Sequence, residues 1–420
     1  MSQIKIKNFG LIKAGFNKND GFMDIRKVTT FIGNQGTGKS SVAKLFSTFS
    51  WLEKSLYRLK EPHEFLTPTS EVVKSEYFEY QGLAGYFSKD THIEYRGSVY
   101  NFYFKNGELL AKKISNDYQL PKIMYVPAER NLLSVINSPE KLKYLPRHLY
   151  TFIEEFERSQ QELDETLILP TSTQTLFEYQ KQNKTAYIKG EGYKIKLAEA
   201  SSGLQSLLPL YLVSRNLALS IDKKRDPSKT ELSGEAQQKI RKEVEKILAD
   251  NTLSEEVKNA ALQVLSSKFR NTCFLNIVEE IEQNLFPSSQ KELLFKLIEF
   301  ANLKNCNQLM LTTHSPYIIN YLTLAAKASA VLNKINKDKN IKGLRERLEK
   351  IVPINSCIAA DDLIVYTLKE NGTIEELATY DGLPSDNNYL NEYLADTNQL
   401  FDELLDIEED TNQKLKRVFA

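Results

Sequence analysis

The octapeptide Gly33-Asn34-Gln35-Gly36-Thr37-Gly38-Lys39-Ser40 has the spacing GxxxxGK[ST]. Its glycines let successive backbone N–H groups turn inward around a phosphate. Lys39 puts a point charge near the β and γ oxygens of a nucleoside triphosphate, Ser40 offers a hydroxyl to Mg²⁺, and Ser41 extends the set. A bound triphosphate can be hydrolysed, transferred or used as a switch, and hydrolysis needs carboxylates at a neighbouring strand end. CFLNIVEE supplies them: Glu279 in the metal shell and Glu280 as the base that takes a proton from the attacking water. Taken alone, two adjacent glutamates also fit the start of a surface helix. His314 in MLTTHSP, one of four histidines, ends the next strand pattern within reach of a γ-phosphate. A lone histidine after a strand is otherwise a structural residue.

These groups need strands and helices to aim them. KVTTFI is β-rich and runs directly into Gly33, and SSVAKLFSTFSWLEKSLYRL has helical apolar spacing, so the glycine loop lies between a strand and a helix. IKIKNFG and GFMDI read as earlier strands. Residues 61–120 are rich in Tyr and Phe, with a hairpin signal at Asn106-Gly107. KIMYVPAERN reads as a buried strand, 140–168 as a polar helix, and TAYIKGEGYKIKL as a second hairpin turning at Gly190-Glu191-Gly192. The hydrophilic stretch 221–268 has helical spacing and capping signals. CFLNIVEE and QLMLTTHS read as core strands of a parallel sheet, with further strands near 355–366 and an amphipathic carboxy-terminal helix from YLNEYL onward. The chain therefore divides into a nucleotide-binding core (1–60, 121–135 and 270–420), an antiparallel β insert (61–120), a helical subdomain (136–220) and a helical insertion (221–269).

Composition excludes several classes. The 420 residues are 41% hydrophobic and 26% charged, which describes a globular chain with room for two or three subdomains. Fifty-five basic residues balance fifty-five acidic ones, so net charge gives no support to sequence-independent nucleic-acid binding. Cys273, Cys306 and Cys357 are too scattered for a disulfide framework or a zinc site. With no leader pattern and no window of 18 apolar residues, the expectation is a cytoplasmic protein without a membrane segment.

Ser201-Ser202-Gly203-Leu204-Gln205 follows the second hairpin and opens the apolar helix SLLPLYLVS. A serine and a glycine at a helix amino terminus make an anion site. With the phosphate loop, this LSGGQ-like signature, the hydrophobic-Glu-Glu strand and TTHSP in that order, the chain resembles the ATP-binding-cassette (ABC) ATPases over 1–50 and 195–325. The resemblance implies an α/β, ABC ATPase-type P-loop fold with an inserted antiparallel β layer and a helical insertion. It also implies that ATP and Mg²⁺ are bound, that ATP is hydrolysed, and that Ser202 and Gly203 close in trans on ATP held by a second subunit. Two departures stand out: Ile281 replaces the proline that usually follows the catalytic glutamate, and PAERN, with Glu129 and Arg130, occupies the place of the glutamine loop.

Within that superfamily the region 221–268 is too short for the long coiled coils of Rad50 and structural-maintenance ATPases. The roughly 95 residues after 325 show no Toprim nuclease unit around Asp361-Asp362, which reads as a strand-end pair. What remains resembles the compact, nuclease-free ATPases of bacterial antiviral systems. That branch implies a homo-oligomer, at least a dimer and higher, such as a hexamer, a separate Toprim-type nuclease effector, and a phage protein as trigger. The alternative is a Rad50-like ATPase of DNA repair or loading, with NKINKDKNIKGLRERLEK (333–350), seven basic and three acidic residues, as the phosphate-touching stretch.

Overall fold

The computed structural model describes residues 2–58, 77–136, 145–171, 173–221, 249, 271–337 and 343–418. Apart from residues 221 and 249, the helical insertion expected at 221–269 lies outside the described residues, as does the first part of the β insert.

From the amino terminus the strands are β1 (Gln3–Phe9), β2 (Gly15–Phe16), β3 (Met23–Asp24) and β4 (Val28–Gly33), the last running into the helix Lys39–Arg58. Then follow β5 (Phe87–Arg96), β6 (Tyr100–Lys105) and β7 (Glu108–Lys113). Asn106 and Gly107 both take positive φ, the backbone of the tight hairpin turn that their sequence signals. These three strands do not stand alone: the antiparallel sheet has the order β3-β1-β5-β6-β7, so the amino-terminal strand is built into it. It packs on the Lys39–Arg58 helix through stacked Phe49 and Tyr95, with Phe102 tilted against Phe49. Buried Glu53 on that helix accepts the amides of Val99 and Tyr100 at 2.7 and 3.1 Å. Burial raises its carboxyl above the ordinary range, against the opposing pull of those amides.

After β8 (Pro121–Val126) comes the helix Arg147–Gln161, which is shorter than the polar pattern of 140–168 and buries Phe152, Ile153 and Phe156. A small four-stranded sheet, β9 (Leu167–Ile168), β10 (Leu176–Gln180), β11 (Thr185–Gly190) and β12 (Tyr193–Lys196), leads to the helix Ser202–Ser220. The β11–β12 pair is the hairpin that the glycines at 190 and 192 signal. The rest alternates: β13 (Cys273–Val278), helix Pro287–Asn302, β14 (Gln308–Thr312), helix Pro316–Lys337, then β15 (Leu363–Leu368), β16 (Thr373–Glu376) and the helix Tyr389–Val418. The expected strand near 355–366 begins only at Leu363; a 3₁₀ turn occupies Ile354–Ser356.

The central sheet has the order β2-β16-β15-β4-β14-β13-β8, in which the five strands from β15 to β8 are parallel. Both faces are covered, so the strands read as continuous apolar runs instead of alternating ones. Phe31, Tyr125, Ile277, Met310 and Tyr366 pack toward the antiparallel layer. Val28, Val126, Val278, Leu311 and Val365 pack toward the helices Ser202–Ser220, Pro287–Asn302 and Pro316–Lys337. This is the expected α/β arrangement with an added antiparallel layer. Among the described residues no helix is long and apolar enough to cross a membrane.

Candidate active site

Parallel strands in register bring their carboxyl ends to one edge, the place where open α/β sheets bind ligands. Gly33 closes β4 opposite Leu368 of β15, Thr312 of β14 lies beside Phe31, and Val278 of β13 lies between Leu311 and Val126. The phosphate loop, the His314 loop, Glu279-Glu280 and the Glu129-Arg130 turn therefore meet along that edge. Asp361 and Asp362 do not: they precede Leu363, which pairs with Val28 at the opposite end of the same strands, about 17 Å away at the rise of a strand.

In the loop, Gly33 has φ +148°, and a Cβ there would sit 2.4 Å from the Leu368 carbonyl oxygen, so only glycine lets β4 turn this close to β15. The Asn34 carbonyl accepts from Thr37 Oγ1 at 2.8 Å and from Lys39 Nζ at 2.9 Å, and Lys39 also donates to the Gly33 carbonyl at 2.9 Å. The Asn34 amide donates to Glu370 at 2.8 Å. Burial lowers the Lys39 pKa to about 8, while the charges of Glu280, Glu282 and Glu279 pull it back up. Gly36, Gly38, Ser40 and Ser41 complete the loop and the first helical turn, whose amides have no partner within the helix.

The two glutamates part in environment. Glu279 is 4% exposed and its Oε1 has no hydrogen-bond partner. The Tyr125 hydroxyl is likewise buried and faces Glu279 without a well-aligned hydrogen bond, and burial, reinforced by the Glu279 carboxylate beside it, holds its phenol well above the ordinary value. The Glu280 side chain is 40% exposed, and its backbone has φ +44°, a left-handed conformation that costs a glutamate about 1–2 kcal/mol. Its Oε1 lies 3.9 Å from His314 Nε2, close enough for one water to touch both. Burial, and then the Lys39 charge, lower the His314 pKa, so the imidazole is neutral at pH 7.

Two residues brace this arrangement. Arg130 is fully buried and donates to the carbonyls of Glu279 (2.7 Å), Glu280 (2.6 Å), Pro127 (3.3 Å) and Ser206 (3.2 Å). Burial lowers its pKa to about 10, leaving it charged at neutral pH. It clamps the strained Glu280 turn to the Ser202–Ser220 helix. Glu282 accepts from Thr313 Oγ1 at 2.7 Å and from the His314 amide at 2.5 Å, which fixes the His314 loop to the acidic turn. Sequence reasoning placed Arg130 beside the site but missed Glu282. The one available signal was its spacing, three residues after Glu279 and directly after Ile281.

Replacing Arg130 with methionine keeps the volume and leaves those buried carbonyls without a donor. The expected loss is about 3–5 kcal/mol, read as a drop of about 10 °C in thermal denaturation. Lysine should not rescue it, because one ammonium cannot span the fork. An unchanged Tm in Arg130→Met would remove the clamp.

Ser202 is exposed at the start of its helix, with Ser201 in the N-cap position. A Cβ on Gly203 would lie 2.8 Å from the Asn284 carbonyl oxygen, so glycine permits the signature turn to pack against the turn after Glu280. Ser206 Oγ donates to Gln283 Oε1 at 3.2 Å across the same contact.

A nucleoside triphosphate with Mg²⁺ fits these residues. The glycine-shaped loop ends on a buried ammonium, and the partnerless carboxylate oxygen of Glu279 can face a cation. Among the described residues no three His, Cys, Asp or Glu side chains converge as a metal site, and Mg²⁺ held largely by phosphates requires only one or two protein ligands.

No curated protein matches the sequence. Among solved structures, the chain is similar to the SMC head domain from Thermotoga maritima, at 12% identity and a TM-score of 0.36, covering 90% of this chain and 98% of that one. It is also similar to the Smc head domain with an extended coiled coil bound to the C-terminal domain of ScpA, from Pyrococcus furiosus, at 9% identity and a TM-score of 0.37, covering 96% and 100%. The family AAA_15, described as an AAA ATPase domain, matches residues 108–319, just over half of the chain and the part that carries the signature helix, Glu279, Glu280 and His314. The chain therefore belongs to the AAA ATPase domain family AAA_15 and is an ATPase on a P-loop, ABC-type fold.

Proposed function

We propose that this ATPase is the sensor and scaffold of a bacterial anti-phage system, which binds and hydrolyses ATP, assembles as a homo-oligomer and holds a separate Toprim-type nuclease inactive until a phage protein releases it. In its motif set the chain looks most like AriA, the ATPase of the PARIS system. One observation supports the reading most: Lys39, Glu279, Glu280 and His314 gather at the carboxyl edge of the sheet, while Asp361 and Asp362 sit at the opposite edge, and among the described residues no three His, Cys, Asp or Glu side chains converge as a metal site. In this reading the effector is another polypeptide.

In the mechanism, the loop from Gly33 to Ser41, including Asn34, Gln35 and Thr37, surrounds the phosphates. Lys39 exchanges its carbonyl acceptors for β and γ oxygens, and the polyanion favours its charged form. Ser40 and Glu279 would hold Mg²⁺, which would supply neutralisation of charge on the phosphates. Glu280 accepts the proton of the attacking water, and His314 donates a hydrogen bond to the γ-phosphate from the loop that Glu282 holds. Ser202 and Gly203 of a second subunit present their helix terminus to the same phosphates, so turnover requires the subunits to meet.

Ser202→Arg, a bulky cation at the exposed helix start, should therefore leave nucleotide affinity within about twofold while turnover falls about 100-fold, and the rise of specific activity with protein concentration should vanish. Wild-type activity that is flat with concentration would place the signature outside catalysis. The function itself is tested by the mass of the purified protein with ATP and Mg²⁺, with and without the product of the neighbouring gene. A large homo-oligomer that captures a Toprim-type partner supports the proposal. A monomer or dimer that ignores the partner, gains ATPase activity with DNA and loses DNA binding steeply with salt supports the repair-type alternative, to which exposed Lys334, Lys337, Arg345 and Arg347 would contribute.

A further inference from the structure

The carboxy-terminal helix Tyr389–Val418 is 30 residues long, about 45 Å at the rise of an α-helix. Its root is anchored. Asn388 caps it by accepting the amides of Leu390 and Asn391 at 3.1 and 3.2 Å, and Leu390 packs on the main core. From Gln399 to Glu409 every residue is exposed. Leu400, Leu404 and Ile407, spaced i, i+4, i+7, form one stripe with Phe401 and Leu405 beside it, and the first two of these with Phe401 are 60–62% exposed. This spacing belongs to a helix that packs on something. Intrinsic propensity does not explain a solvated helix with Asp402, Asp406 and two asparagines nearby, since helices of this composition gain their stability from a buried face.

The flanks of the stripe identify what covers it. Between Tyr389 and Gln413 there are eight acidic residues and no Lys or Arg. We propose that this helix face is a docking site for a helix of another protein that carries an apolar stripe flanked by Lys and Arg, an antiparallel or parallel partner matched by charge to Asp402, Glu403, Asp406, Glu408 and Glu409. A second copy of the same helix is disfavoured, because matching the two stripes sets acidic residues against acidic residues. An anionic bilayer and nucleic acid are disfavoured by the same charge.

The root of the helix also shares a cavity with the start of the phosphate loop. Tyr389 and Glu392 line a cavity of about 580 Å³ together with Glu370 and Asn34, the pair that hydrogen-bonds across the phosphate loop. The docked helix thus lies on an element whose root shares a cavity with Asn34 of the phosphate loop. The inference deepens the partner reading above and rests on it for the identity of the docked protein, but not for where docking occurs.

The test uses the full chain and two fluorescein-labelled helical peptides of 28 residues with the same Leu/Ile heptad stripe, one flanked by Lys and Arg and one by Glu, titrated by anisotropy. The basic peptide should bind at least tenfold more tightly than the acidic one. Phe401→Ser with Leu404→Ser should weaken it at least tenfold with ATP turnover unchanged, and Asp402→Lys with Asp406→Lys should invert the preference. Equal binding of both peptides, or no binding of either, overturns the proposal. So does sedimentation showing a concentration-dependent dimer that the Phe401/Leu404 variant abolishes, which would make a second copy the occupant. Selective binding of the basic peptide, with failure of the neighbouring gene's product to associate, leaves the site standing and removes the nuclease as its occupant.

Discussion

Lys39→Ala should reduce ATP turnover about 1000-fold, near the upper end of what one charge at a transferring phosphoryl group contributes, and should weaken ATP binding in parallel. The reason lies in the surroundings of the ammonium. It is mostly buried, donates to the Gly33 and Asn34 carbonyls, and has three glutamates within electrostatic reach. Removing it leaves Glu279, Glu280 and Glu282 facing a polyanion with no cation from the loop, so repulsion adds to the lost attraction. Arginine should not restore activity, because the two carbonyls cradle a compact point donor and a planar fork would displace the Gly33 turn, where even a Cβ has no room. Measurement of kcat and of nucleotide affinity by fluorescence titration checks both parts. A Lys39→Ala protein with wild-type affinity and turnover would move the phosphate site away from this loop.

Glu280→Gln separates binding from cleavage. The exchange keeps the shape and the backbone φ of the turn, and the Arg130 clamp on the Glu280 carbonyl is untouched. Only the proton acceptor is lost. If Glu280 is the base proposed above, turnover should fall by about 10²–10⁴-fold, the usual worth of a general base, while ATP stays bound. Glu279→Gln differs in sign: a neutral amide in the buried Tyr125 pocket should weaken Mg²⁺-dependent ATP binding more than it slows the bound complex. A Glu280→Gln enzyme with normal turnover and a dead Glu279→Gln would exchange the two roles. Single-turnover assays of ATP cleavage, followed with and without Mg²⁺, distinguish these outcomes.

Much of this was legible in the residues because local rules were enough. A β-run into Gly33, helical spacing after Lys39, the Asn106-Gly107 turn and the paired glycines at 190 and 192 each specify their own backbone within a few positions, and the structure has each of them. Other features depend on partners distant in the chain. The amino-terminal strand reads as part of the nucleotide core, yet Ile4 and Ile6 pair with Tyr95 and Ile93 in the antiparallel layer. Alternation alone cannot say which sheet an edge strand joins. The polar pattern of 140–168 is a helix only over Arg147–Gln161 among the described residues, where Phe152, Ile153 and Phe156 join the main core.

By itself the sequence determined the phosphate loop, the order of the site motifs and the continuous apolar strands that require a sheet covered on both faces, since each is a matter of residue type at fixed local spacing. Only the tertiary structure decided that Arg130 is a buried clamp, that Glu282 holds the His314 loop, that Glu279 is sequestered while Glu280 stays accessible, and that Asp361-Asp362 stands at the far edge. The physical reason is the same in each case. Burial, hydrogen-bond partners and the end of a strand at which a side chain emerges are set by parallel pairing between segments up to about 340 residues apart, and no local spacing encodes that register.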